Sequence, residues 1–339
     1  MGPETPRDPA MPAKDGPMNA RIEPRMAPEV ASPGSLAARL LQSVPTPGVH
    51  TTPVPGVTIA RANSPSQPLA SVYEPSICIV VQGRKRAVVG NEVYTYDPFN
   101  YLVVSVVLPA RSHILQATPE KPYLCLRIGV DVTVIADLLQ QLGPDVIARP
   151  ACGRGLYLAE MTPSLSDAVS RLVELLARPE DASVLGPLVL REIHYRVLTG
   201  TLGYRLRELF SESSHTQRIA RVMGLLRAGY ADPIRIEDLA AAVHMSVSGL
   251  HHRFKEVTSM SPLQYLKQLR LHQARRLMLA EGLDAAAACY RVGYGSPSQF
   301  SREYRRLFGA PPRRELKKFR DPSSTSPSGY EGLQPSLTE

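Results

Sequence analysis

Cysteine is scarce. The four in these 339 residues, Cys78, Cys125, Cys152 and Cys289, lie at least 27 positions apart. Such spacing suits neither a disulfide framework nor a zinc motif, so buried reduced thiols are expected. Histidine is as sparse in the right places: of eight, only His113 falls inside the predicted strands, with His50 just before them. A metal enzyme needs several His and carboxylate ligands converging on one ion, so no catalytic residue, metal or cofactor is expected. No run of 18 apolar residues occurs, which rules out a spanning helix of that kind. The opening "MGPETPRDPAMPAKDGPMNARIEPRM" lacks the apolar core of a signal peptide. A cytoplasmic protein without a membrane partner is the expectation.

Charge is present and uneven. Between Ser213 and Arg320 there are 19 basic and 8 acidic side chains, an excess of +11 where the whole chain carries +8. A basic C-terminal third implies a polyanionic partner.

The texture divides the chain. Residues 1–33 and 321–339 are rich in Pro and Ser and too poor in apolar side chains to offset the entropy of ordering, so both read as disordered tails. From Val57 to Ile128 come short β-branched runs such as "SICIVV", "RAVVG", "EVYTY" and "NYLVVSVVL". Their breaks at Gln82-Gly83, Gly90-Asn91 and Asp97-Pro98 suit hairpins, which predicts a small antiparallel barrel or double sheet. From Asp131 the apolar spacing turns helical. Leu172, Leu175 and Leu176, then Val189, Ile193 and Val197, form stripes suited to packing. The expected division is 34–212 for a first domain with a helical second half and 213–320 for a second, all-helical one.

The last hundred residues hold a repeat. In "IRIEDLAAAVHMSVSGLHHRFKEVTSMSP" a short helix, a turn through His244 and Met245, and an N-cap at Ser246 lead into a second helix. There Val247, Leu250, Phe254 and Val257 share an inner face, and Ser248, His251, His252 and Lys255 the outer one. Fifty positions on, "LDAAAACYRVGYGSPSQFSREYRRLFG" repeats the plan, with Ser296 as N-cap and Pro297 in the first helical position. Phe300, Tyr304 and Phe308 face the core; Ser298, Gln299 and Arg302 face out near the helix start, and Arg305 and Arg306 lie a turn later. This is the layout of a DNA-reading helix, with the early positions at base edges and Lys255, Arg305 and Arg306 on phosphate. A helical rod starting at Pro262 joins the units. At about 1.5 Å per residue it spans roughly 30 Å, close to the roughly 34 Å between successive major grooves on one side of B-DNA. Arg270, in the middle of its Leu263, Leu266, Ala274 and Leu277 face, needs a partner, either Asp238 or a helix-end carbonyl.

The paired units, the rod and the stretch "GYGSPSQFSREYRRLFGAPP" closely resemble the DNA-binding domain of the AraC/XylS family of bacterial transcription regulators, over about residues 216–319. "YEPSICIVVQGRKRAVVGNEVYTYDPFNYLVVSV" is similar to the N-terminal domain of one AraC-family subgroup, which carries a cupin-like barrel. The resemblance implies an α+β chain with a cupin-like antiparallel barrel and following helices, then two helix-turn-helix units joined by a long helix. It implies Ser248, His251, His252, Ser298, Gln299 and Arg302 as base contacts. The partners it implies are double-stranded promoter DNA, a small-molecule effector, RNA polymerase if the protein is an activator, and a second copy in a homodimer. Glu315 departs from the pattern, standing where the family often has an aromatic residue.

The competing reading is a metal-dependent cupin enzyme fused to a DNA-targeting domain, for which the barrel lacks ligands. A zinc-cysteine methyl acceptor would need cysteines before Cys78. For the effector site, His113, Cys78 and Cys125 are the polar candidates on the strands; no flanking cation demands a lowered pKa of either cysteine, and Arg84, Lys85 and Arg86 read as an exposed hairpin.

Overall fold

The computed structural model describes residues 36–143, 153–211 and 214–320. The two tails expected to be disordered lie outside the described residues, as does Cys152. Helix α1 (Leu36–Ser43) precedes two antiparallel sheets. The larger runs β1 (Gly48–Thr51), β2 (Val57–Ala62), β9 (Tyr123–Gly129), β4 (Ser76–Gln82), β7 (Asn100–Val104) and β10 (Leu156–Glu160). The smaller runs β3 (Leu69–Tyr73), β8 (Leu108–Gln116), β5 (Arg84–Val89) and β6 (Glu92–Tyr96).

The strand sequences explain the layers. On β4, Cys78 and Val80 belong to the core between the sheets, while Ile77 and Ile79 belong to the core under the helices. On β9, Cys125 and Leu124, Leu126 divide the same way. A central strand covered on both sides reads as an unbroken apolar run, which is how "SICIVV" looks. The outer cover is α1, α2 (Val132–Leu142), α3 (Pro163–Leu176) and α4 (Pro179–Thr199). Leu172, Leu175, Leu176, Val189, Ile193 and Val197 are all buried there, as their spacing predicts.

Three expectations need correction. Only Gly90-Asn91 closes a hairpin, between β5 and β6. Gln82-Gly83 and Asp97-Pro98 instead carry the chain from one sheet to the other, because β4 and β7 lie in the larger sheet and β5 and β6 in the smaller. Turn residues announce a reversal but not the sheet that receives the next strand. Second, His50 lies inside a strand, β1, rather than before it. Third, the stretch after Asp131 is not wholly helical: β10 returns to pair with β7, covering the edge that β4 leaves open.

After α5 (Tyr204–Arg207) and a 3-10 turn the chain enters α6 (His215–Ala228), α7 (Ile236–Ala242), α8 (Val247–Thr258), α9 (Pro262–Ala280), α10 (Ala285–Arg291), α11 (Pro297–Phe308) and α12 (Pro312–Arg320). This helical part is docked on the barrel. The Gly155 N–H donates to Val257 O at 2.9 Å, and the buried Tyr265 hydroxyl donates to Val107 O at 3.2 Å. Arg154 reaches Ser259 Oγ at 2.7 Å and Glu92 Oε1 at 2.7 Å. Val106, Leu108 and Leu156 share one buried cluster with Ile219, Val222, Phe254 and Val257. A second cluster, around Phe300, Tyr304 and Cys289, belongs to the helical part alone.

Candidate DNA-binding surface and effector cavity

Each helix-turn-helix is set by its caps and its turn. Ser246 Oγ accepts from Gly249 N–H, and Ser296 Oγ from Gln299 N–H. Each satisfies an amide that a helix start leaves open. The second turn passes through Gly293 at φ +82°, where an added Cβ would stand 2.2 Å from Ala231 O. Only glycine fits there. Arg270 locks both units to the rod: Nε donates to Tyr230 O at 2.6 Å, Nη1 to Gly293 O at 3.0 Å and Nη2 to Asp232 O at 3.0 Å. Its partners are therefore carbonyls at loop and helix ends, not Asp238.

The outward rows are where the helical period puts them. On α8, Ser248, His252 and Lys255 are exposed and His251 is half-buried. On α11, Ser298, Gln299, Arg302, Arg305 and Arg306 are exposed. Gln299 Nε2 donates to Glu303 Oε1 at 3.1 Å, and Glu303 also receives Lys267 Nζ and the Tyr294 hydroxyl. The inner faces bury Leu250, Phe254 and Val257 on α8, and Phe300 and Tyr304 on α11, with Phe308 half-buried. Val247 and Leu263 depart from the expected faces, at 39% and 48% exposure. Both sit in the first turn of their helix. The C-terminal end of α8 is the end held by Arg154 and Gly155, while Ser248 and His252 nearer its start are exposed.

The second site lies between the sheets, a cavity of about 390 Å³. Its lining includes all three effector candidates, His113, Cys78 and Cys125, together with Tyr73, Lys85 and Arg127. Lys85 corrects the reading of an exposed basic hairpin: it is 8% exposed and points inward with Ala87 and Val89, its Nζ 5.7 Å from the Tyr73 ring centre. The cysteines do have cations beside them. Arg127 stands directly opposite Cys78 in the β4–β9 register, and Lys85 arrives from the facing sheet. The neighbouring Cys125 thiol first, then Arg127 and Lys85, bring the Cys78 thiol down to about 6 against the opposing effect of burial. Cys125 is pushed well up. Cys78 and Cys125 are buried free thiols, as is Cys289. Among the described residues no three His, Cys, Asp or Glu side chains are gathered so as to hold a metal ion. Likewise, none of the described helices is long and apolar enough to cross a membrane.

Cavity and C-terminal helices are joined. Glu74 lines the cavity and pairs with Arg227 of α6 at 3.5 Å.

Two family models match the chain. The AraC-type transcriptional regulator N-terminus covers residues 53–205, and a helix-turn-helix domain covers residues 239–318. The chain belongs to the AraC family. Similar curated proteins include the HTH-type transcriptional activator RhaS of Salmonella schwarzengrund, 28% identical over 158 residues, which is 47% of this chain and 56% of that protein. The RhaS of Enterobacter sp. is 29% identical over 155 residues, 46% of this chain and 55% of its own length. The match thus spans about half the length of these curated relatives. Among solved structures, ToxT of Vibrio cholerae superposes with a TM-score of 0.55 at 11% identity, covering 80% of this chain and 98% of ToxT. Its complex with an unsaturated fatty acid gives 0.52 at 14% identity, covering 77% and 94%. At such identities the likeness is one of fold.

The AraC-type barrel and its helical partner were both legible from residues alone. The cations of the cavity were not. The alternation "RKRAVV" already puts Lys85 on the face of Ala87 and Val89, although three consecutive basic residues look solvated. Arg127 beside Cys78 depends on strand register across 49 positions, for which no local signal exists.

Proposed function

We propose that this chain is a sequence-specific, promoter-binding transcription regulator that acts in the cytoplasm by binding and not by catalysis, with a small-molecule effector taken up in the barrel. The observation that carries this reading is the pair of capped helices α8 and α11, each with a polar or basic outer row, held on one rod by the three carbonyl bonds of Arg270. Lys255, Arg305 and Arg306 supply affinity by neutralising phosphate; Ser248, His251, His252, Ser298, Gln299 and Arg302 supply sequence preference. The division falls near residue 213, with 34–212 as effector domain and 213–320 as DNA-binding domain. That RhaS is an activator and that ToxT has been seen with a fatty acid support RNA polymerase as a partner and the cavity as the ligand site. An effector would act through its unequal affinity for the two arrangements of barrel and DNA-binding helices, with Glu74–Arg227 between them.

The test uses DNA selected from a random pool by the full chain, compared with its scrambled version across a salt series. Arg302→Ala is expected to weaken the selected DNA by about 1 to 3 kcal/mol, since its fork suits guanine O6 and N7. Arg305→Ala and Arg306→Ala should weaken both DNAs alike and each lower the salt slope by about one unit. His251→Ala and His252→Ala should flatten preference at one half of the site and leave the slope nearly unchanged. Equal losses on both DNAs for the histidine variants, or no loss for Arg302→Ala, would show that other residues face the groove. A fragment of residues 213–320 that is folded yet binds neither DNA would defeat the proposed division.

A further inference from the structure

Glu303 stands one turn after Gln299 on α11, and its carboxylate is well occupied. Oε1 accepts from Gln299 Nε2 at 3.1 Å and from Lys267 Nζ of the rod at 3.2 Å, and Oε2 accepts from the Tyr294 hydroxyl at 2.8 Å. Tyr294 is buried in the turn before α11, its ring edge-on to Phe300 at 5.4 Å between centres. Rod, turn and α11 thus hold one carboxylate in place. The Glu303 side chain is only 15% exposed, so it is set to support Gln299, which is exposed, and not to meet a base itself.

The consequence lies in the amide. A glutamine that turns freely offers a base edge either its oxygen, which suits an amino group, or its nitrogen, which suits a keto group. An ionised carboxylate only accepts, so the end of Gln299 that meets Glu303 is the nitrogen. Glu303 is ionised at neutral pH: burial pushes its carboxyl up, but the hydrogen bonds from Gln299, Tyr294 and Lys267 outweigh burial and hold it below the usual value. Gln299 keeps its oxygen and one N–H for other partners, and the charge on its bonded N–H polarises the amide so that the oxygen accepts more strongly. Adenine fits this with N6 and N7, and cytosine with N4.

We propose that Glu303 is a positioning residue: it holds the Gln299 amide with the nitrogen toward itself and the oxygen available, so that α11 selects a base through its major-groove amino group. This deepens the reading of α11 as a base-contacting helix and rests on it. The first unit lacks the device, since fifty positions earlier Gly249 and Arg253 stand where Gln299 and Glu303 stand here. Preference at base pairs met by α8 is therefore independent of Glu303.

The test takes the DNA selected by the full chain and varies its base pairs one at a time. The pair met by Gln299 is the one whose preference disappears in Gln299→Ala. There, purine in place of adenine or 2-pyrimidinone in place of cytosine deletes only the amino group and should weaken binding of the parent about tenfold, the scale of one good side-chain contact to a base. Glu303→Gln keeps the size and an acceptor for Tyr294, but its amide can give or take, which lets Gln299 turn. In that variant the same deletion should cost about threefold or less, while preference at the pairs met by Arg302 and by α8 stays as in the parent. Exchanging the two residues, Gln299→Glu with Glu303→Gln, leaves only oxygen at the first position and should restore the dependence on the amino group. A parent indifferent to the deletion, or a Glu303→Gln variant that still loses tenfold, would overturn the proposal and leave Gln299 standing as a base contact. Preference relaxed equally at the Arg302 pair would overturn it as well, because Glu303 then only keeps α11 in shape. If Gln299→Ala alters preference at no base pair, the reading of Gln299 as a base contact fails, and the role of Glu303 fails with it.

Discussion

Glu315→Ala is expected to cost about 3 to 5 kcal/mol of folding stability, because it removes the carboxylate of a buried ion pair. Arg275 on α9 is only 6% exposed. Its Nε donates to Glu315 Oε1 at 2.9 Å, and Glu315 also accepts from the Tyr304 hydroxyl of α11. One carboxylate on α12 therefore ties together the rod and α11, and the Arg275 guanidinium lies 5.3 Å from the Phe308 ring centre. Without it a guanidinium and a phenol lose one acceptor inside the cluster that also buries Phe300. Urea unfolding of the full chain, followed by a probe in the C-terminal helices, reads the loss. Glu315→Gln should cost much less, since an amide oxygen still accepts. The double variant Arg275→Met, Glu315→Met should recover most of the loss, because an apolar pair of similar volume replaces a buried ion pair at little cost. A Glu315→Ala variant as stable as the parent would mean that the pair is solvated and α12 only loosely attached.

Glu315 also shows how far residues alone carry the reading. Against the family pattern it is a departure from an aromatic position; in three dimensions it is one half of a pair whose other half, Arg275, lies on the rod. What was missing was the path of the chain after Phe308, which brings α12 back across α9. The same applies to Arg270. Its need for a partner follows from its place on an apolar face, and a helix-end carbonyl was one of two candidates, but the choice rests on where the loops after α6 and α10 end. Helix periods, caps and the repeat are local properties, and they located α8 and α11 and the side chains that point outward from them. Strand partners, the receiving sheet at Gly83 and the docking of α8 on the barrel are non-local, and periodicity does not encode them. The cavity's two cations fall in this second class, although the alternation around Lys85 was available.

A second buried base on the rod makes stability depend on pH with a predictable sign. His272 is 3% exposed, neither ring nitrogen has a hydrogen-bond partner among the described residues, and its ring meets Phe308 edge-on at 5.1 Å between centres. Burial first, and the neighbouring Arg275 charge second, lower it from the usual 6.5 to about 3. The unfolded chain then takes a proton at His272 as the pH falls below about 6.5, while the folded chain refuses one until about 3. Stability contributed by a neutral His272 is complete above 6.5 and is lost as pH falls toward 3, by about 1.4 kcal/mol per pH step and about 3 kcal/mol in all by pH 4. Carboxylates titrate over part of the same range, so the quantity to follow is the difference between the parent and His272→Leu, which keeps the volume and removes the base. At pH 7 the leucine variant should be at least as stable as the parent, since it also removes two unsatisfied ring nitrogens. Between pH 6 and pH 4.5 its advantage should widen at close to the full slope of one proton. Parallel stability curves for the two proteins over that interval would mean that His272 reaches solvent or finds a partner in the native state, and that the junction of α9 and α11 is looser than its packing implies.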